Sequence, residues 1–195
     1  MKAIALACLL SLHGGTHLWA EETAEAKEPM TRESLREKAN PGPEHGKLAA
    51  LAGEWTLALQ TRREPLAGKA TMRMAVKGRF LVCEFRAGEG RLEQTGIFIV
   101  GFDRRHGEWT LQAMDDSGTY AVFSRGKQED GPDRIKLYGT DDDPHMKAMG
   151  YEKAFAHVLD IAEPDRFAIE LYLIDTRSEN RREHKTMTYE FTRKK

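Results

Sequence analysis

From Trp55 to Thr192 the chain repeats one pattern: a short run of alternating apolar and polar residues, then a cluster of turn residues. Alternation at period two puts every second side chain on one face of an extended segment, so each run reads as a half-buried strand. The spacing predicts strands over Trp55–Arg62, Ala70–Val76, Phe80–Arg86, Gln94–Phe102, Trp109–Met114, Tyr120–Ser124, Arg134–Tyr138, Lys153–Ile161, Phe167–Ile174 and Lys185–Thr192. Lys77-Gly78, Gly88-Glu89-Gly90, Asp116-Ser117-Gly118 and Glu163-Pro164-Asp165 are among the connectors that punctuate them. About ten strands with no helical pattern between them argue against a parallel α/β sheet. They predict an all-β fold, a single antiparallel meander closed or nearly closed into a barrel. A barrel of this width is not filled by its own side chains, so an internal cavity is expected.

The alternation assigns an inner face. Trp55, Leu57 and Leu59 share one side, as do Ala70, Met72, Met74 and Val76. Phe167, Ile169, Leu171 and Leu173 form a third set, and Met187, Tyr189 and Phe191 a fourth. The longest connector, Gly139–Glu152, is the candidate lid for a barrel mouth, because long loops in compact barrels tend to carry function.

Ahead of the strands, Pro43 suits a first helical turn and Glu44 the positive end of a helix dipole. Leu48 and Leu51 fall on one face, and Gly53 ends this short N-terminal helix before Trp55 opens the first strand. Residues 21–40 are polar and charge-mixed, a linker or a loosely held helix over Arg32–Ala39. Residues 1–20 have the layout of a secretory signal peptide: Lys2, an apolar run from Ala3 to Leu12, and Leu18-Trp19-Ala20 before two acidic residues. Cleavage after Ala20 would give an exported, periplasmic or secreted domain spanning 41–195, with no membrane insertion of the mature chain. A lipoprotein attachment at Cys8 and a buried N-terminal helix are the alternatives. Cleavage would also leave Cys83 without an intramolecular partner, and its apolar strand reads as a burial site for the thiol.

The whole sequence has a formal net charge of −1, which gives no electrostatic case for nucleic acid or an anionic membrane surface. Local signatures of hydrolases, zinc proteases, phosphate loops and dithiol chemistry are absent. No two of His45, His106, His145, His157 and His184 stand at a metal-ligand spacing. Asp141-Asp142-Asp143 with His145 reads either as a hard-cation loop or as a solvated acidic turn, the reading preferred here. His157 and His184 lie in strands, where a cavity-facing histidine is also what a haem-binding barrel would need.

Several fragments carry a family resemblance. Pro43-Glu44-His45 with Leu48, Leu51, Gly53 and Trp55, then Gly78-Arg79-Phe80-Leu81, Gly101-Phe102-Asp103 and the ending Tyr189-Glu190-Phe191-Thr192-Arg193-Lys194 resemble the DUF1579 family in order and spacing. Arg104-Arg105-His106 and the region 147–157 depart from that family's pattern. A Gly-x-Trp opening the first strand with a cation ending the last is similar to lipocalin and fatty-acid-binding barrels. That resemblance implies that Trp55, Gly53 and Arg193 form a structural signature in which the tryptophan closes one barrel end under the arginine.

The expectation is therefore a monomeric lipocalin-like barrel that binds a small apolar or amphipathic molecule without transforming it, leaving the function to the end opposite Trp55. Its cavity candidates are Met72, Met74, Phe85, Met114, Tyr120, Tyr138, Met187 and Tyr189, although methionines also fill ordinary cores. No catalytic or metal-binding residue and no cofactor other than a haem is indicated. An enzyme using a cavity histidine or tyrosine, and an interaction module using the 21–40 arm, are the other readings.

Overall fold

In the computed structural model, which describes residues 30–127 and 133–195, ten antiparallel strands form a closed barrel. They are β1 (Gly53–Gln60), β2 (Leu66–Ala75), β3 (Phe80–Ala87), β4 (Gln94–Asp103), β5 (Glu108–Asp115), β6 (Val122–Gly126), β7 (Arg134–Asp141), β8 (Lys153–Glu163), β9 (Arg166–Ile174) and β10 (Glu183–Arg193). Each strand pairs with its neighbours in sequence, and β1 pairs with β10 to close the ring. This is the meander that the alternation predicts. The barrel belongs to the unit Arg32–Lys195. The signal-peptide layout of 1–20 and most of the 21–40 arm lie outside the described residues.

Helix α1 (Arg32–Lys38) buries none of its side chains. Its C-terminal end is held by two guanidinium groups: Arg79 donates to Ala39 O at 2.8 Å, and Arg104 donates to Glu37 O at 2.8 Å and Asn40 O at 3.0 Å. Arg105 and His106 both engage the Asp103 carboxylate within the β4–β5 turn. The basic run 104–106 thus fastens a helix and a turn.

Helix α2 (Pro43–Ala50) starts at Pro43, and the Gly42 N–H donates to His45 Nδ1 at 3.0 Å. His45 and Leu48 bury one face of the helix, and Leu51 is buried just after it. The helix ends on Leu51 with ordinary helical angles, so Gly53 is not the residue that stops it. Gly53 instead begins β1 at φ +139°, a conformation that glycine adopts freely.

Trp55 is fully buried, its indole N–H donates to Leu51 O at 2.9 Å, and the Arg193 guanidinium lies 4.3 Å from its ring centroid. Around this plug the interior is filled by Leu81, Trp109, Leu111, Ile135, Leu159 and the stacked pair Phe167–Phe191. Aromatic bulk therefore occupies much of the width that an all-aliphatic barrel would leave empty, and the interior space is smaller than expected. Val76 departs from its predicted face: at φ +49° and 64% exposed, it belongs to the β2–β3 turn. Two strands carry bulges, β10 between Lys185 and Met187 and β8 between Asp160 and Glu163.

Candidate functional site

The cavity lies at the end away from Trp55. It has a volume of 220 Å³ and is walled by the ends of β3 and β5, the starts of β4, β6, β8 and β10, and the end of β9. Its aromatic part is a three-ring cluster. Phe85 stacks on Phe98 at 5.3 Å, and Tyr189 meets both edge-on, at 5.2 and 4.9 Å. Val122, Leu171, Leu173 and Met187 supply aliphatic wall, and Phe155 stands edge-on to His157 at 5.4 Å.

Among the eight residues predicted to line a cavity, Phe85, Met114, Tyr120, Met187 and Tyr189 do line it. Met72 and Met74 do not. Met72 is packed in the core and Met74 against it, towards the plugged end of the barrel. Tyr138 alternates with buried Leu137, faces outward at 42% exposure, and carries the Lys136 ammonium 5.3 Å from its ring centroid. Phe98, Phe155, Leu171, Leu173 and Lys153 belong to the cavity without having been singled out. Their signal was their inward phase on strands already assigned, whereas the side-chain types alone pointed to methionine and tyrosine.

His157 is the polar centre of the cavity wall. It is 2% exposed, and burial lowers its pKa from 6.5 to about 4, so the ring is neutral near pH 7. Its Nδ1 lies 3.0 Å from Ser124 Oγ, which in turn lies 3.5 Å from Leu111 O. Both contacts become hydrogen bonds when Nδ1–H donates to Ser124 and the serine hydroxyl donates to Leu111. The donor and acceptor roles in this contact follow the imidazole tautomer, and among the described residues no buried side-chain nitrogen or oxygen is without a hydrogen-bond partner. Ser124 is fully buried and does not line the cavity, so it positions the ring and is no candidate nucleophile.

Burial also raises the pKa of Tyr189, with the Asp115 carboxylate adding to the shift. The only partner of its hydroxyl among the described residues is Met187 Sδ at 3.6 Å, a weak acceptor.

The mouth is polar. Asp115, Ser117, Tyr120 and Lys153 line it. Lys153 Nζ pairs with Asp141 Oδ2 at 2.9 Å and Asp143 Oδ2 at 3.6 Å, and stands 5.2 Å from the Tyr120 ring centroid. Partial burial lowers the Lys153 pKa, but the hydrogen bond to Asp141 and the nearby charges outweigh it and the net shift is upward. The long connector expected as a lid folds into α3 (Pro144–Ala148), capped by the Asp143 carboxylate, and none of its residues lines the cavity. It reaches the mouth only through the pairs that Lys153 makes with Asp141 and Asp143.

The other chemical candidates separate spatially. In the acidic loop, Asp141 pairs with Lys153, Asp142 with Lys147, and Asp143 with backbone N–H groups of α3. No group of three metal-capable side chains occurs among the described residues. Cys83 is buried, and burial, with the charge of Glu84, pushes its thiol up to about 12. His106, His145 and His184 are exposed. A haem does not fit the available space. Scaled from a cavity of about 150 Å³ that holds benzene, 220 Å³ takes roughly nine non-hydrogen atoms. A larger groove of 740 Å³ lies outside the barrel between α1 and the β4–β5 turn, but its Arg79 and Arg104 are occupied by the carbonyls of α1.

These features define a lipocalin-like β-barrel, closed by ten strands among the described residues, with one end plugged and a small cavity at the other. Residues 40–193 match the family model DUF1579, described as a protein of unknown function, and the chain belongs to that family. No curated protein matches the chain.

Proposed function

We propose that this protein binds a small apolar or amphipathic molecule in the end cavity and does not transform it. The observation that supports the reading is a preformed space of 220 Å³ with an aromatic and aliphatic wall and a polar rim. Its size favours a single ring or a short chain over the long acyl chains that lipocalin-like barrels suggest. At the mouth one ammonium, Lys153, faces three carboxylates, Asp115, Asp141 and Asp143, so a neutral or cationic head is favoured over an anionic one. Two features weigh against catalysis. A histidine with a pKa of about 4 is a poor general base near neutral pH, and its serine neighbour lies off the cavity.

We further propose that the protein works as an exported monomer, on the strength of the signal-peptide layout of residues 1–20. Ligand-observed NMR with single-ring aromatics, short alkyl chains and long fatty acids tests the binding. The reading predicts saturable binding of the small probes; failure of every one of them would overturn it. Native mass spectrometry of protein recovered from cell fractions and medium tests the rest. The expected species is monomeric, exported and begins at Glu21. A dimer, or an intact N-terminus on a retained chain, would overturn that part.

A further inference from the structure

We infer that the molecule bound in the cavity is an arylalkyl amine by class: an aromatic ring held beside Phe85, Phe98 and Tyr189, with an ammonium that donates to the Asp115 carboxylate at the mouth. The inference rests on the proposal that the cavity is a ligand site and names the chemistry of its occupant.

Three observations lead to it. First, charge is confined to the mouth. Of the lining residues only Asp115 and Lys153 are charged near neutral pH, because burial keeps His157 and Tyr189 neutral. A ligand's charged group therefore stays at the rim, partly hydrated, while its apolar part enters. Second, the two mouth charges are not equivalent. Lys153 is matched by Asp141 at 2.9 Å and by Asp143 at 3.6 Å. Asp115 accepts from the Ser117 N–H at 2.9 Å and from the Ser117 hydroxyl, and makes no ion pair among the described residues. An entering cation meets an unmatched carboxylate; an entering anion meets that carboxylate and an ammonium already engaged twice. Third, the carboxylate and the aromatic wall share one cross-strand row. Phe85 pairs with Gly96 and Gly96 with Asp115, across β3, β4 and β5. The Phe85 ring lies over Gly96, where a Cβ would stand 2.6 Å from it, and Asp115 continues the inward phase of Leu111 and Ala113. The Phe85, Phe98 and Tyr189 rings already make stacked and edge-on contacts that a further ring can extend. A ring placed there brings a short amine arm to Asp115.

The discriminating pair is phenethylamine and phenethyl alcohol, which share a ring and a two-carbon arm and differ in the head group. Each has about nine non-hydrogen atoms, the number that the space takes. Phenylacetate supplies the opposite charge. Calorimetric titration of the full chain near neutral pH is expected to show the amine binding at least about fivefold more tightly than the alcohol, and phenylacetate binding more weakly than either. Asp115 is exposed, so the amine preference should shrink at least about twofold as salt rises from about 0.01 M to about 1 M, a measurement independent of any variant. In Asp115→Asn, amine and alcohol should bind within about twofold of each other. If the alcohol binds the wild type as tightly as the amine does, or the preference ignores salt or survives in Asp115→Asn, the amine inference falls and the cavity reading stands. If none of the three compounds nor any other small probe binds, both fall together.

Discussion

The guanidinium of Arg193, near the C-terminal end of the last strand, lies 4.3 Å from the ring centroid of Trp55, near the start of the first. The same group donates to Ala52 O at 3.0 Å, Ala50 O at 2.6 Å and Pro164 O at 3.1 Å. One side chain therefore joins the β1–β10 seam, the C-terminal carbonyls of α2 and the β8–β9 turn. A cation at the end of a helix is also favoured by the helix dipole. Arg193→Ala is expected to cost about 3 kcal/mol, combining lost charged hydrogen bonds with a lost cation–π contact. Arg193→Lys should recover less than half of this, because one ammonium does not span three carbonyls across a ring face. Urea unfolding midpoints with unchanged slopes would check both values.

Gly53 lies under the same arginine. At φ +139°, a side chain there is strained, and its Cβ would stand 2.9 Å from Arg193 Nη1. Gly53→Ala should destabilise the protein by about 1–3 kcal/mol. Gly46 makes the contrast. It lies on the exposed face of α2, and a Cβ there meets nothing within 4 Å, so Gly46→Ala should stabilise by about 0.5–1 kcal/mol. Thermal unfolding of the two variants beside the wild type should show shifts of opposite sign.

His157 predicts an acid-sensitive fold. Its folded-state pKa of about 4 lies below the ordinary 6.5, so between these values the unfolded chain takes up a proton that the folded chain does not. Stability is highest above pH 6.5 and falls as the pH drops towards 4, by about 3 kcal/mol in total from this group. Unfolding measured at steps across that range should show the decline. His157→Phe should flatten it, leaving the part due to carboxylates.

Ala113 lines the cavity, with Phe98 and Val122 as its cross-strand partners. Ala113→Phe should fill the space and abolish binding of single-ring probes while changing stability by less than about 1.5 kcal/mol. Loss of the NMR binding signal with a retained unfolding midpoint is the expected result. Unimpaired binding would place the ligand elsewhere.

Ten strands, their order and most of their inner faces were legible in the sequence, because period two is a local property that survives without tertiary information. The Trp55–Arg193 contact was anticipated from family resemblance. The cavity was harder to read. Met72 and Met187 both occupy inward positions, yet Met72 packs into the core and Met187 lines the open space. The difference is their height along the barrel axis, set by strand pairing and not by residue type. The long connector misled for a similar reason. Its length suggested a lid, but the Lys153 pairs with Asp141 and Asp143 tie it beside the mouth.

The sequence by itself determined that this chain is a β-meander, and its resemblance to lipocalin-like barrels marked Gly53, Trp55 and Arg193 as the residues of one closed end. Only the tertiary structure decided where the barrel stays open, how little space remains there, and that His157 faces it with one nitrogen bound to Ser124. The reason is the range of the forces involved. Alternating hydrophobicity acts along a strand, between neighbours in the chain. A cavity is what remains after side chains from seven strands have packed against one another, and no segment carries that difference alone.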